Sequence, residues 1–210
     1  ATMSVRMERT IVDQDACKGV IEKTPIIEWF FAQKFKEMNH FNQSILLVCK
    51  NNIDKKHIQT AVEKLIEHHD IIRMTYDQNT GGLYYRNDFS ADAHKVDYFD
   101  LSHLSSEDQY RQINELGYQV KASLALSIGP LFKAAIFNLG EVGQILLFTA
   151  HHLAVDGVSW RILIEDFSTI IQQLHDEKEI VLPLKTNSFA DWSTELHEYS
   201  NQILQTEIDY

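Results

Sequence analysis

The sequence predicts an α/β fold, a mixed sheet covered by helices. Three observations carry this. Stretches of helical period alternate with short apolar runs of strand length. Two pairs of those runs close on glycine-containing turns, as hairpins do, so part of the sheet is antiparallel. The runs Leu131–Leu139 and Gln144–Ala150 are almost unbroken in apolar residues, which marks central strands buried on both faces.

The chain has 210 residues, the size of one large domain or two small ones, and its 44% apolar content can fill a sizeable core. Nineteen Lys and Arg against thirty Asp and Glu give a net charge of −11, a poor match to a phosphate backbone, so no nucleic-acid partner is expected. Cys17 and Cys49 stand in unrelated contexts with no metal-ligand or redox spacing, which suits a reducing compartment. Cys49 reads as a small core residue. Ala1–Asp15 has no apolar core of signal-peptide length, and no run reaches the ~18 apolar residues of a membrane span. The expectation is a cytoplasmic protein without a membrane partner.

In chain order, Thr24-Pro25 opens the first helix as N-cap and first-turn proline, with Ile26, Trp29, Phe30 and Phe35 as its apolar face. His40–Ser44 reads as a polar connector to a strand, Ile45–Lys50. Asp54 caps a second helix whose Ile58, Ala61, Val62, Leu65 and Ile66 fall at helical spacing, ending near His68-His69-Asp70. Strand Ile71–Tyr76, the turn Asn79–Gly82 and strand Leu83–Arg86 form the first hairpin. Val96–Phe99 is a short strand. Ser105 or Ser106 caps a third helix reaching Ala122, with Ile113, Leu116 and Val120 on one side. After the break at Gly129-Pro130 the second hairpin turns around Gly140–Gly143. A helix from Val158 to Glu177 carries Trp160, Leu163, Ile164, Phe167, Ile170, Ile171 and Leu174 in register. Beyond a linker at Pro183, Ser188 caps a last helix with Phe189, Trp192, Leu196, Tyr199 and Ile203. There is no internal repeat, and the end inside a helix suggests a piece of a longer chain.

The chemistry concentrates at the strand-to-helix junction Ala150–Trp160. Adjacent side chains on extended backbone point to opposite faces, so His151 and His152 do not converge on one metal, and no metal site is expected. One should face a cavity and the other pack inward. A cavity-facing histidine titrates near neutral pH and suits a general base; a packed structural histidine is the equal alternative on chemistry alone. Asp156 is either a buried anchor for the loop, an N-cap for the helix, or both. Gly157 allows a left-handed turn or close backbone approach. The N–H groups near Val158 and Ser159 are donors at a positive helix end, where an oxyanion could sit, with apolar filling of that space as the equal alternative. Ser159 lacks the frame of a nucleophile elbow. His68-His69-Asp70 reads as charge complementing a helix end. Arg73, among apolar neighbours, needs an anion, and Asp156 is the expected partner.

His151-His152-Leu153-Ala154-Val155-Asp156-Gly157 resembles the HHxxxDG signature of the condensation-domain superfamily of nonribosomal peptide synthetases. That resemblance implies a chloramphenicol-acetyltransferase-like fold. Thr24–Phe30 resembles the opening motif of the superfamily's epimerization branch, and His40–Ser44 its next segment. His68–Arg73 resembles its HHDxLR motif with Ile72 in place of leucine, and Ser188–Trp192 the segment after the motif helix. The matches run in the family's order from about Gly19 to Tyr199. Asp156–Trp160 and the Phe-Asn-Gln-Ser segment favour epimerization over condensation.

The resemblance implies conversion of an L to a D residue in an aminoacyl or peptidyl thioester. That thioester hangs on the phosphopantetheine arm of a partner carrier domain, and no directly bound cofactor or metal is implied. By the family pattern His152 is the base; His151, Asp156, Gly157 and Arg73 are structural; Ser159 and Trp160 are possible cavity lining. Residues 1–18 read as an N-terminal segment or linker, and residues 19–210 as the N-terminal of two lobes. The second lobe, with its complementary glutamate, has no counterpart in this sequence, so the chain is expected to hold half a site and to be inactive alone. The competing expectations are a condensation-domain lobe and a non-catalytic lobe that docks a carrier domain.

Overall fold

The computed structural model describes residues 12–207, apart from the side chains of Ala91 and residues 202–207. The anticipated place of Ile203 on the last helix face, and most of the 1–18 segment, lie outside that description.

Among the described residues, seven strands form two sheets. In the larger, the strand order is β2(Asn42–Cys49), β7(Gln144–His151), β6(Phe132–Asn138), β5(Asp97–Asp100). Strands β2, β7 and β6 are antiparallel and β5 joins parallel to β6, so the sheet is mixed as the sequence implies. The apolar runs of β6 and β7 are the two inner strands, and nearly every residue of both is buried. Strand β2 lies at an edge, alternates half-buried and exposed residues, and starts three residues earlier than its apolar run suggests. The polar connector thus enters the sheet, pairing Asn42 with His151 and Gln43 with Ala150.

The smaller sheet, β1(Gly19–Ile21), β4(Gly82–Tyr85), β3(Met74–Asp77), is antiparallel throughout. The run Ile71–Tyr76 is not one strand: Asp70–Arg73 forms a 3-10 turn and only Met74 onward pairs. This turn brings the Asp70 and Arg73 side chains together at the end of the second helix.

Among the described residues, five α-helices cover the sheets: α1(Pro25–Ala32), α2(Lys55–His68), α3(Ser106–Ala122), α4(Gly157–His175) and α5(Phe189–Glu207). Asp54 caps α2 through the Lys56 N–H, and Ser105, not Ser106, caps α3 through the Asp108 N–H. Ser188 and Asp191 exchange bonds at the start of α5, a capping box. One core joins the α2 stripe Ile58, Val62, Leu65 and Ile66 to Leu163, Phe167 and Ile170 of α4 across the sheet residues Phe132, Ile136 and Phe148. Helix α3 closes the opposite face of β6 and β7 over Ala135, Phe137 and Leu147. A second core gathers Ile27 and Phe30 of α1 with Met74, Leu83 and Tyr85 of the small sheet.

Two expectations about apolar faces are corrected. On α1 the buried pair is Ile27 and Phe30, whereas Ile26 and Trp29 are 63% and 47% exposed. On α5, Trp192 and Tyr199 are exposed and the deeply buried residue is Ser193. A run with apolar residues on more than one side leaves the inward face to be chosen by tertiary contacts. Residues 12–18 are also more than a linker, because Gln14 and Lys185 exchange side chain–backbone bonds and the Cys17 N–H donates to Asp70.

Candidate active site

The junction of β7 and α4 places the two histidines as the extended backbone dictates, on opposite sides. His151 is fully buried. Its ring meets Phe30 edge-on at 5.6 Å and Phe41 at 6.2 Å. Its Nε2 donates to the Met38 carbonyl at 2.9 Å, leaving Nδ1 to accept the Leu153 N–H at 3.2 Å. Burial pushes its pKa down to about 4, so this ring is neutral near pH 7.

His152 is half-buried and stacks on Phe41 at 5.1 Å. Its hydrogen bonds fix the opposite tautomer. Nδ1 lies 2.9 Å from the Val155 carbonyl, which only accepts, so Nδ1 carries the proton. Nε2 then holds a lone pair, and the side-chain nitrogen of Gln43 lies 2.9 Å from it. Gln43 Oε1 accepts the indole N–H of Trp160 at 3.0 Å. Neither Gln43 nor this use of Trp160 was singled out by the sequence. Gln43 lies in a matched segment, but its partners stand more than a hundred positions away.

The remaining junction residues settle the readings left open above. Asp156 is the N-cap of α4 and is solvent-exposed, not a buried anchor. One carboxylate oxygen accepts the Val158 N–H at 3.0 Å and the Ser159 N–H and hydroxyl, each at 2.7 Å. The Ser159 backbone bond, above all, holds the Asp156 carboxyl below its usual range. The Val158 and Ser159 N–H groups, open in the sequence to an oxyanion or to apolar filling, are therefore spent on the cap. Gly157 is not left-handed, and a Cβ there would meet nothing within 4 Å. Of the expected lining pair, Ser159 lines the cavity and Trp160 does not.

The expected Arg73–Asp156 pair does not form. Arg73 is 4% exposed and its partners are local. It pairs with Asp70, donates through Nη1 to the carbonyls of Ile66 at 2.5 Å and Glu67 at 2.7 Å, and through Nε to Asn87 at 2.8 Å. The guanidinium thus caps the C-terminal carbonyls of α2 and places four of its five N–H donors on local partners. Asp70 also accepts from Lys185 at 3.0 Å. Burial works to raise the Asp70 carboxyl, but the Cys17 N–H, Lys185 and Arg73 together hold it below its usual range. His69 does not complement a helix end either. Its Nε2 pairs with Asp166 of α4 at 2.7 Å, tying α2 to α4, and burial lowers the pKa of both His68 and His69. His68, His69 and Asp166 bring ligand-type atoms within 4.8 Å of one another, although the Lys185 charge acts against a positive charge on both imidazoles.

A cavity of about 1010 Å³ opens beside the second core, with His152, Asp156 and Ser159 at the junction, Trp29 of α1 and Trp192 of α5 among its lining. This accounts for the outward indoles: they face the cavity. Among the described residues no helix is long and apolar enough to cross a membrane.

Comparison with known proteins follows the same line. The condensation-domain family matches residues 20–210. The chain is 41% identical over 191 residues to tyrocidine synthase 2 of Brevibacillus parabrevis, covering 90% of this chain and 5% of that protein. It is 38% identical to gramicidin S synthase 1 of Brevibacillus brevis, covering 91% of this chain and 17% of that one. Among solved structures it is similar to the epimerization domain from the third module of tyrocidine synthetase B, with a TM-score of 0.83 and 40% identity over 90% of this chain and 41% of that domain. The starter condensation domain of rhizomide synthetase shares the fold at a TM-score of 0.74 and 13% identity, with 47% of that chain covered. The chain therefore spans a small part of the curated relatives and less than half of the solved domains.

Proposed function

The chain belongs to the condensation-domain family, with its chloramphenicol-acetyltransferase-like fold, and on that premise we propose that it forms the first lobe of an epimerization domain. The substrate is an aminoacyl or peptidyl thioester carried on the phosphopantetheine arm of a partner carrier domain during nonribosomal peptide synthesis. The observation that carries the chemistry is the hydrogen bonding of His152: Nδ1–H is held by the Val155 carbonyl, and Nε2 faces a neutral amide donor that a substrate proton can displace. A thioester acidifies its α-position. His152 Nε2 takes the Cα proton, the electron pair moves onto the thioester carbonyl as an enolate, and a proton returns to the opposite face. The complementary acid is assigned to a second lobe. No bond other than Cα–H is broken.

Support for epimerization over condensation comes from the contrast in identity, 40% with the tyrocidine epimerization domain against 13% with the rhizomide condensation domain. The condensation reading has its own support in the shared fold and in relatives that are multidomain synthetases. The two separate in one assay. A two-lobed protein containing this chain is given a carrier loaded with an L-aminoacyl thioester in deuterated buffer. Epimerization yields the D residue with deuterium at Cα, and His152→Ala lowers that exchange by roughly 10²-fold or more, the usual contribution of a general base. Amide formation with a second loaded carrier, without Cα exchange, would reject the proposal in favour of condensation. Carrier binding with neither product would leave a docking lobe.

A further inference from the structure

We propose that Gln43, held by Trp160, is the positioning residue of the base: together with the Val155 carbonyl it holds the tautomer of His152, and it occupies the Nε2 lone pair until a substrate Cα–H takes its place. This deepens the epimerization reading and rests on it for its catalytic consequence, but not for the hydrogen-bond chain itself.

The chain is over-determined from both ends. An indole N–H can only donate, so Trp160 forces the oxygen of the Gln43 amide to face it at 3.0 Å. The amide nitrogen must then face His152, and an amide nitrogen can only donate, so Nε2 must accept at 2.9 Å. An imidazole that accepts at Nε2 while neutral carries its proton at Nδ1, where it meets the Val155 carbonyl at 2.9 Å. Starting instead from Val155, which only accepts, gives the same tautomer. His151 next door shows that the tautomer is not a default: it carries its proton on Nε2 because Met38 accepts there.

Three separate elements meet in this chain. Gln43 sits on edge strand β2 opposite Ala150, His152 leaves the end of β7, and Trp160 is on α4. His152 lines the cavity and Gln43 is not among its lining residues, while the His152 Nε2 meets the Gln43 amide at 2.9 Å. A neutral donor of this kind occupies the lone pair and can be displaced at small cost. The two stretches that speak for the epimerization branch, Phe41–Ser44 and Asp156–Trp160, supply the two residues that act on the base.

The test follows two readouts in the two-lobed protein: the ring-nitrogen chemical shifts of ¹⁵N-labelled His152, and Cα deuterium exchange of the carrier-bound thioester. Wild type should show the Nδ1–H form. Gln43→Ala leaves the Val155 carbonyl as the remaining hold on the ring, so some Nε2–H form should appear beside the Nδ1–H form and exchange should slow roughly threefold to tenfold, the scale of one neutral hydrogen bond. Trp160→Phe, which keeps a ring but frees the amide to flip, should move both in the same direction. Gln43→Glu, near-isosteric, puts an acceptor opposite Nε2. It should favour a proton there, and the acidic limb of the pH–rate profile should move to higher pH, which a merely structural residue would not cause. An unchanged tautomer in Gln43→Ala, faster exchange in that variant, or an unmoved profile in Gln43→Glu would overturn the proposal. If the variants shift the tautomer but wild type shows no exchange, the epimerization reading falls and the tautomer control stands.

Discussion

Arg73 shows how a buried charge chooses its partner. Its guanidinium offers five donors, and the 3-10 turn that begins at Asp70 delivers a carboxylate three residues away while the end of α2 delivers two carbonyls. Asp156 meets its own needs just as locally, at the start of α4. The two residues therefore act independently, and a double-mutant cycle reads this directly. Arg73→Ala leaves the buried Asp70 with Lys185 and the Cys17 N–H and should cost about 3 kcal/mol, the lower end for breaking a buried pair. Asp156→Ala removes an N-cap and should cost about 1–2 kcal/mol. Measured by urea unfolding, the double variant should equal the sum to within about 0.5 kcal/mol. A coupling above 1 kcal/mol would restore the pairing that the sequence suggests.

The same contrast, need met against need absent, separates the glycines that shape elements. Gly143, in the turn from β6 to β7, has φ 107°, and a Cβ there would lie 2.3 Å from the Cys49 carbonyl oxygen, a backbone atom held by β2. Gly143→Ala should cost about 3 kcal/mol in thermal or urea unfolding, from backbone strain and a contact that cannot rotate away. Gly157→Ala is the control and should leave stability unchanged; equal losses in both would refute the steric account. Elements were legible in the sequence where period and chemistry agree. Helix α2, with Asp54 before it and five apolar residues in register, is one such case, and the β6–β7 hairpin is another. The three-residue β1 has too little pattern to read. In Ile71–Tyr76 a β-branched run outweighed the local pull of Asp70 and Arg73 toward a tight turn. At the site, His152 was legible because its neighbours in sequence are its neighbours in space. Gln43 was not, because strand pairing alone brings β2 beside β7.

Across the whole molecule the two cores meet at His151, which belongs to β7 of the large sheet yet packs on Phe30 and Phe41 and bonds to Met38 on the other side. Burial holds its pKa at about 4, and burial likewise lowers those of His68, His69 and His94. The folded protein thus declines protons that the unfolded chain takes up below pH ~6.5, the ordinary histidine value. The unfolded state binds more protons, so stability must fall as pH drops from about 6.5 toward 4. The depressed carboxyls Asp70 and Asp156 act with the same sign in a lower window, below about pH 4, where their native contacts are lost on protonation. For His151 alone the shift from 6.5 to about 4 amounts to about 3 kcal/mol at the acid end of its window. His151→Gln keeps an amide N–H for the Met38 carbonyl but has no proton to gain. Its absolute stability is expected to fall, and the slope of its unfolding free energy between pH 6 and 4.5 should be shallower than wild type by up to about 1.4 kcal/mol per pH unit, one proton's worth. Urea melts of both proteins at half-unit pH intervals read that slope directly. Parallel profiles would mean that the seam between the cores opens to water and that His151 titrates as an ordinary imidazole.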